Sequence, residues 1–172
     1  TNILPHNFGL EDLFFIKLTS DRDGKMHSMS KNLHLSQLHS PYNNLLDEHF
    51  CRRWIASQSI QDLFEKADTN IIANAQISDF WNTDNSYLCI SLAKRDSDNP
   101  SRAISVTIGL LINDKLKSIF HFLSDPALRR KIVNTTCERC NITDCKERAF
   151  EPIFIQQNEE KKNTLEALEQ LI

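Results

Sequence analysis

Residues 103–112 read AISVTIGLLI and form the longest nearly unbroken apolar stretch of the sequence. Every second residue is a large aliphatic one, and these residues share one face of a strand: Ile104, Val106, Ile108, Leu110 and Ile112. Burying each such side chain is worth roughly 1.5 to 3 kcal/mol, so the pattern predicts a central strand with this face in the core. The stretch is too short for a membrane span, which needs about twenty apolar residues.

Segments with the same alternation lie on both sides of this predicted strand. Residues 13–18 alternate and are followed by a turn-forming cluster, which predicts a first strand and a return strand over 26–35. Two more strands are predicted over 71–77 and 87–94, again separated by turn-forming residues. The sequence therefore predicts an antiparallel sheet of about five strands.

Helical spacing appears between and after these strands. Residues 41–66 predict a helix or helical turns, and Asp125 with Pro126 predicts the start of a helix as N-cap and first residue. An apolar stripe predicts another helix packed on the sheet: Leu116, Ile119, Phe120 and Leu123. Residues 158–172 predict a charged C-terminal helix that either pairs with another copy or folds back, with an apolar edge of Leu165, Leu168, Leu171 and Ile172. The fold class is α+β.

The composition excludes several classes of protein. The 172 residues carry 20 Lys and Arg against 23 Asp and Glu, a net charge of −3, and 40% of them are hydrophobic, as expected for one soluble domain. With 3 Gly there is no Gly-rich phosphate loop, and the charge argues against a nucleic-acid surface in this chain. No secretory signal is visible and the chain opens at Thr1, so we expect a cytoplasmic domain excised from a longer protein.

The strongest chemical signal is a C-x2-C-x4-C array of Cys137, Cys140 and Cys145. A tight turn directs the first two sulfurs at one centre, and the chain then wraps round to supply the third. Basic residues outnumber acidic ones by six to three over 129–148, and nearby cations stabilise thiolates. The array favours a metal or cluster site, with a redox dithiol, a local disulfide or inert thiols as alternatives.

Three thiolates leave one coordination position open. Cys51 is the natural fourth ligand, because Cys89 lies inside an alternating strand where a small buried hydrophobe is expected. The histidines that compete for the position are His34, His49 and His121. Four thiolates fit zinc or a [4Fe-4S] cluster, and one remote cysteine with a compact trio slightly favours the cluster. Either centre would tie Cys51 to the C-terminal turn, so metal loss should loosen both ends of the domain.

Several short segments together resemble the C-terminal domain of the short-chain fatty acyl transcriptional regulators, bacterial regulators with an XRE-type helix-turn-helix. The specific part is the Cys-rich ending, C-x2-C-x3-D-C-x2-R-A, and the resemblance covers residues 13–152. The segments that carry it are LFFIKL at 13–18, Asp23 with Gly24, LHL at 33–35, CRRW at 51–54, YLCI at 87–90, CERC at 137–140 and DCKERA at 144–149. The chain departs from the family pattern before Cys137 and after Ala149, where a Gly and a double Pro are usual.

The resemblance implies a GAF/PAS-like sensor domain with a Cys-rich C-terminal turn. We expect this domain over residues 1–156 and the C-terminal helix over 157–172. It implies transcription regulation through an attached DNA-binding domain that this chain lacks, and an acyl-CoA-type effector. Such an effector needs cations for its phosphates. The candidate effector residues are Arg52, Arg53, Trp54, Arg129 and Arg130.

Two other classes of function stay open. An enzyme would use the cysteines as a catalytic zinc site or redox dithiol, but Glu138, Glu147 and His49 have no spacing that assigns them as general bases. A structural module would use the metal to staple the fold and the C-terminal helix to pair two copies. We expect a regulatory domain and not an enzyme.

Overall fold

The computed structural model describes residues 13–24, 27–34, 48–66 and 68–169, with positions 31–34 described for their backbone alone. In chain order the elements are β1 (Leu13–Asp21), β2 (His27–His34), α1 (Ile55–Glu65), β3 (Ile71–Phe80), β4 (Ser86–Arg95), β5 (Arg102–Leu111), α2 (Asp114–Ile119), a 3₁₀ helix (His121–Ser124), β6 (Arg129–Val133) and α3 (Ile153–Glu169). None of the helices in these ranges is long and apolar enough to cross a membrane.

The strands form one six-stranded sheet in the order β2-β1-β5-β4-β3-β6. The first five are antiparallel to their neighbours, but β6 pairs parallel to β3. The α+β class is therefore confirmed, and the prediction of a purely antiparallel sheet of about five strands is wrong. The sheet is mixed because the chain returns along the β3 edge after α2.

The sixth strand replaces a helix that the sequence favoured. Asp125 was expected to cap a helix, but its carboxylate accepts from the Ala127 N–H at 2.8 Å, and its carbonyl accepts from the Leu128 N–H at 3.0 Å. These bonds close a turn, after which β6 begins at Arg129. Arg130 then forms two hydrogen bonds to Asp79 of β3, at 2.7 and 2.9 Å, which hold the new strand at the sheet edge.

The face of β5 that packs on α1 is the opposite of the predicted one. Ala103, Ser105 and Thr107 are buried, whereas Ile108 on the other face is 38% exposed. The smaller face is buried because the helix and the aromatic rings of neighbouring strands need space there. Gly109 shows this directly, since a Cβ atom at this position would lie 2.0 Å from the Phe14 ring.

The core lies between α1 and this face of the sheet. Three aromatic rings meet in it: the ring centroids of Phe14 and Tyr87 are 5.3 Å apart, and those of Phe80 and Tyr87 are 5.6 Å apart. Around them pack aliphatic side chains of β1 and α1, which include Ile16, Leu18, Ile55, Ile60 and Leu63. The alternating burial along β1 therefore arises because α1 covers one face of this strand.

The remaining predicted helices are partly confirmed. Of 41–66, residues 41–47 lie outside the described ranges, and a regular helix begins only at Ile55. The stripe at 116–123 forms α2, capped by the Asn113 side chain, which accepts from the Leu116 N–H at 2.8 Å, and then the 3₁₀ helix. The C-terminal helix begins earlier than expected, at Ile153, and residues 170–172 lie outside the description.

Candidate thiol centre

Cys51 lies beside the Cys-rich segment because two stretches of backbone pair there. Phe50 and Thr136 form an antiparallel bridge. The Cys51 N–H donates to the Thr135 carbonyl at 3.2 Å, and the Cys137 N–H donates to the His49 carbonyl at 2.8 Å. The segment that precedes α1 is therefore fixed against the segment that follows β6.

Two buried carboxylates lock the same pairing from its sides. Glu48 accepts a hydrogen bond from the Thr136 hydroxyl at 2.5 Å and others from the Arg139 guanidinium at 2.6 to 2.8 Å. Glu138 accepts from the His49 backbone N–H at 3.0 Å and lies 2.7 Å from His49 Nδ1. Each acid reaches from one segment to the other, so the two contacts form a reciprocal clasp.

The pKa of Glu48 shows which effect dominates in this clasp. Burial acts to raise the pKa of this carboxyl, but the hydrogen bonds from Arg139 and Thr136 and the charge of Arg139 outweigh it, so the pKa is lowered from its ordinary value. Glu48 is thus held as a carboxylate at neutral pH. No sequence motif marks Glu48 as a site residue, because its partners Thr136 and Arg139 lie far along the chain.

The thiols themselves are reduced and largely buried. All five cysteines are free, Cys51, Cys137 and Cys140 are buried, and Cys145 is half-buried. The pKa of Cys51 is raised to about 12, chiefly by burial and to a smaller extent by Cys137 and Cys140, whereas hydrogen bonds from the backbone N–H groups of Asn134 and Arg53 act to lower it. Cys51 is therefore a neutral thiol unless a cation or metal stabilises its thiolate.

Arg148 organises the loop that carries the trio. Its guanidinium donates to the backbone carbonyls of Cys137 at 3.4 Å, Cys140 at 3.2 Å and Ile142 at 2.5 Å. The Cys140 N–H also donates to the Cys137 carbonyl at 3.1 Å, which closes the tight turn expected for C-x2-C. A charged side chain that bonds several carbonyls holds an irregular loop in one shape.

The side chains present are of the types that bind metals, but in the described residues they are not arranged as a complete metal site. Three buried thiols and one half-buried thiol are the donors that zinc and iron–sulfur clusters prefer. However, within the described ranges no three His, Cys, Asp or Glu side chains are arranged as a metal-binding group. Cys51 lies close enough to Cys137 and Cys140 for their charges to raise the pKa of its thiol. Cys145 follows on the same loop.

The histidines named as competing ligands have other roles or surroundings. His49 bonds to Glu138, and its ring stacks on Phe150 at a centroid distance of 4.1 Å and an angle of 8°. His121 is exposed in the 3₁₀ helix. The side chain of His34 lies outside the description.

Three of the five candidate effector residues surround Cys51 without forming one surface. Trp54 is 2% exposed, and its indole N–H donates to the Asn134 carbonyl at 2.8 Å. Arg52 donates to the Gly24 carbonyl at 2.8 Å. Arg53 points the other way, to the Ile132 carbonyl at 3.2 Å and to Glu147 at 3.4 Å. These side chains stabilise the fold around the clasp.

The other two candidates lie on opposite faces of β6. Arg129 contacts Asp62 of α1 at 3.6 Å, whereas Arg130 contacts Asp79 on the far face of the sheet. Arg130 also lines a cavity of about 580 Å³ between the sheet and the α2 region, a volume typical of small-molecule sites. Its other lining residues are Ile77, Asp84, Ser86, Ile112, Lys117, Phe120, His121, Leu123 and Ser124.

We compared the chain with protein-family models, curated proteins and solved structures. The chain matches no protein-family model, no curated protein and no solved structure.

Proposed function

We propose that this chain is the regulatory sensor domain of a bacterial transcription regulator, in which a thiol centre controls an attached helix-turn-helix. The thiol centre consists of Cys51, Cys137, Cys140 and Cys145. The observation that carries the proposal is the backbone pairing of Cys51 with the Thr135 to Cys137 segment, which sets a remote buried thiol beside the C-x2-C turn. Inert thiols would not need such convergence.

A bound [4Fe-4S] cluster or zinc ion would supply a cross-link among thiolates that are distant in sequence. The chain's own residues prepare the place. The N–H groups of Asn134 and Arg53 act on the Cys51 sulfur in the direction that favours thiolate. Arg148 holds the carbonyls of the loop, so that Cys137 and Cys140 keep their relative positions.

The contacts at the start of α3 link this helix to the thiol centre and support a role in signalling. The Phe154 N–H donates to the Glu138 carbonyl at 3.2 Å, and the Arg139 guanidinium lies 4.9 Å from the centroid of the Phe154 ring. The start of α3 is therefore tied to residues next to Cys137 and Cys140. A change at the thiol centre would alter the anchoring of α3, which is the kind of two-state element a sensor needs.

The effector and the architecture belong to the same proposal. The order β2-β1-β5-β4-β3 with α1 on one face supports a GAF/PAS-like sensor fold, and β6 is an addition to it. The cavity of about 580 Å³ beside Arg130 supports binding of a small effector, for which acyl-CoA is the candidate from the family resemblance. Binding of a metabolite, regulation rather than catalysis, and a cytoplasmic location complete the proposal.

The test is anaerobic purification followed by a visible spectrum and elemental analysis, with Cys51→Ser as the variant. Cys89→Ser is the matched control, because Cys89 is also buried and its pKa is also raised to about 12, but it lies in β4 away from the clasp. We expect broad absorbance at about 400 nm and about four irons per chain. Both should be lost in Cys51→Ser and kept in Cys89→Ser.

A colourless protein with one zinc per chain would support a thiol centre that binds zinc instead of a cluster. Protein without iron or zinc would contradict the proposal. Metal content unaffected by Cys51→Ser would remove Cys51 from the site and, with it, the observation that carries the argument.

A further inference from the structure

The side of the sheet that faces away from α1 is only partly covered by described residues. At one end, Leu116 and its neighbours in the α2 region pack on Leu88 and Leu110. Three further rows cross β1, β5, β4 and β3: Phe15, Ile108, Ile90 and Ala75; Lys17, Val106, Leu92 and Ala73; Thr19, Ile104, Lys94 and Ile71. We call these three rows the open face.

The open face is apolar and exposed. Ile71 is 51% exposed, Leu92 47%, Ile90 44% and Ile108 38%. Rows about 6.8 Å apart on strands about 4.8 Å apart cover roughly 400 Å². The solvent side of an antiparallel sheet is normally polar, whereas nine of the twelve positions of the open face are apolar, and an exposed apolar patch of a few hundred Å² is often functional.

Beyond its first turn, helix α3 is exposed along its described length, from residue 156 to residue 169. None of its described residues is buried, and Leu165 and Leu168 are 61% and 53% exposed. These two residues lie three positions apart and therefore on one side of the helix. A helix of 17 residues is near the length at which isolated helices are only marginally stable, so packing must supply most of its stability.

We propose that α3 of a second copy of this chain covers the open face, and that the two copies exchange their helices in this way. The charges are complementary. The charged residues of the open face are Lys17 and Lys94, whereas α3 carries four glutamates against two lysines: Glu159, Glu160, Glu166 and Glu169 against Lys161 and Lys162. A positive apolar face therefore meets a negative helix with an apolar edge.

The dimensions also agree with a stable dimer. A helix of 17 residues is about 26 Å long and spans the three rows. In a twofold exchange each copy contributes one sheet face of about 400 Å² and one helix of similar area, or about 800 Å² per partner, the standard size of a specific interface. Such an exchange closes as a dimer and leaves neither face open. The inference does not depend on a metal at the thiol centre.

The first test is the oligomeric state by sedimentation velocity, with one variant in each surface. Leu92→Asp places a charge in the open face, and Leu165→Asp places one on the helix edge. Phe122→Asp is the control for the sheet, because Phe122 is 43% exposed but lies in the 3₁₀ helix. Asn163→Asp is the control for the helix, since it lies about 200° round the helix from Leu165. We expect a dimer in the natural protein and both controls, and a dissociation constant raised at least tenfold in both variants.

The second test separates helix exchange from other dimers. A mixture of Leu92→Asp and Leu165→Asp should form heterodimers, because one copy still has an intact open face and the other an intact helix edge. A dimer made by two sheet faces would already persist in Leu165→Asp alone, and a dimer made by two α3 helices would persist in Leu92→Asp alone, so neither is regained only on mixing. Recovery of a dimer on mixing is therefore specific to exchange.

Four results would overturn the inference: a monomeric natural protein at about 100 µM, a dimer lost in only one of the two variants, no recovery on mixing, or equal loss in the controls. Circular dichroism melts establish that each variant is folded. If Leu92→Asp does not fold, Lys94→Glu at the exposed edge of the face takes its place with the same expected weakening. Metal analysis of these variants is expected to be unchanged, which separates failure here from failure of the proposed function.

Discussion

At the scale of single residues, the clasp depends on acids that are nearly buried. Glu48 is 6% exposed and Glu138 is 5% exposed, yet each has partners on the opposite segment. Removing a partner from a buried charged group costs more than the bond itself contributes, because the remaining group stays desolvated. Single substitutions here should therefore weaken the whole domain.

Glu48→Gln should lower the free energy of unfolding by about 1 to 3 kcal/mol at pH 7, since hydrogen bonds to a charged group are lost. The pKa of Glu48 is lowered in the folded protein from 4.5, so its contribution is present above that value and is lost as the pH falls below it. Urea titrations at pH 7 and at about pH 3.5 check this. Glu151→Gln is the control, because Glu151 is exposed. The prediction would be contradicted if Glu48→Gln lowered the free energy of unfolding by the same amount at both pH values.

His27 gives a second dependence on pH, in a different range. Burial lowers the pKa of His27 from 6.5 to about 3, with smaller effects of Arg52 and His49 in the same direction. The unfolded chain binds a proton below pH 6.5 and the folded one does not, so stability should fall by about 1.4 kcal/mol per pH unit below that value. His27→Asn should flatten this slope between pH 6 and 4.5 in urea titrations. An unchanged slope would show that the ring is not held neutral.

At the scale of elements, β5 is the strand on which packing depends most. Its small side chains let α1 approach, and Gly109 leaves space for the Phe14 ring. On the face toward α1, the small side chains of this strand leave space for the helix and the Phe14 ring. Its larger side chains lie on the open face.

Gly109→Ala should destabilise the protein by about 1 to 3 kcal/mol, because the new methyl group overlaps the Phe14 ring. Phe14→Leu should also destabilise it, but the double variant should lose less than the two costs added together, since the smaller side chain makes room. Urea unfolding of the four proteins measures this coupling. If the two losses in free energy of unfolding were additive, the strand would be adjusting to the methyl group, and the close approach of Gly109 to the Phe14 ring would be unimportant for stability.

The elements also show what the sequence can and cannot predict. Alternation located β1 to β5 closely, because period-two patterns are local. It did not show which face of β5 is buried, since Ile104 and Val106 look like core residues until the position of α1 is known. It did not find β6, because Asp125 with Pro126 is equally typical of a turn. At the thiol centre, spacing located the cysteines, whereas Glu48 and Arg139 meet only through tertiary pairing.

At the scale of the whole molecule, one sheet separates two regions. On one side, α1 and the thiol centre join the segment before α1 to the chain after β6. On the other side, the open face and the cavity beside Arg130 lie uncovered by α1. The start of α3 contacts the first region through Phe154. The same helix would therefore connect the thiol centre with the proposed dimer interface.

We propose above that Cys51, Cys137, Cys140 and Cys145 bind one inorganic centre. Hydrogen exchange of the anaerobically purified protein, before and after chelation, tests it at the amides of Cys51 and Cys137, which bond to the Thr135 and His49 carbonyls. We predict that chelation accelerates exchange at both amides together by at least about tenfold, and that Cys51→Ser shows the fast rates without chelation. Acceleration at Cys137 with an unchanged rate at Cys51 would contradict the account.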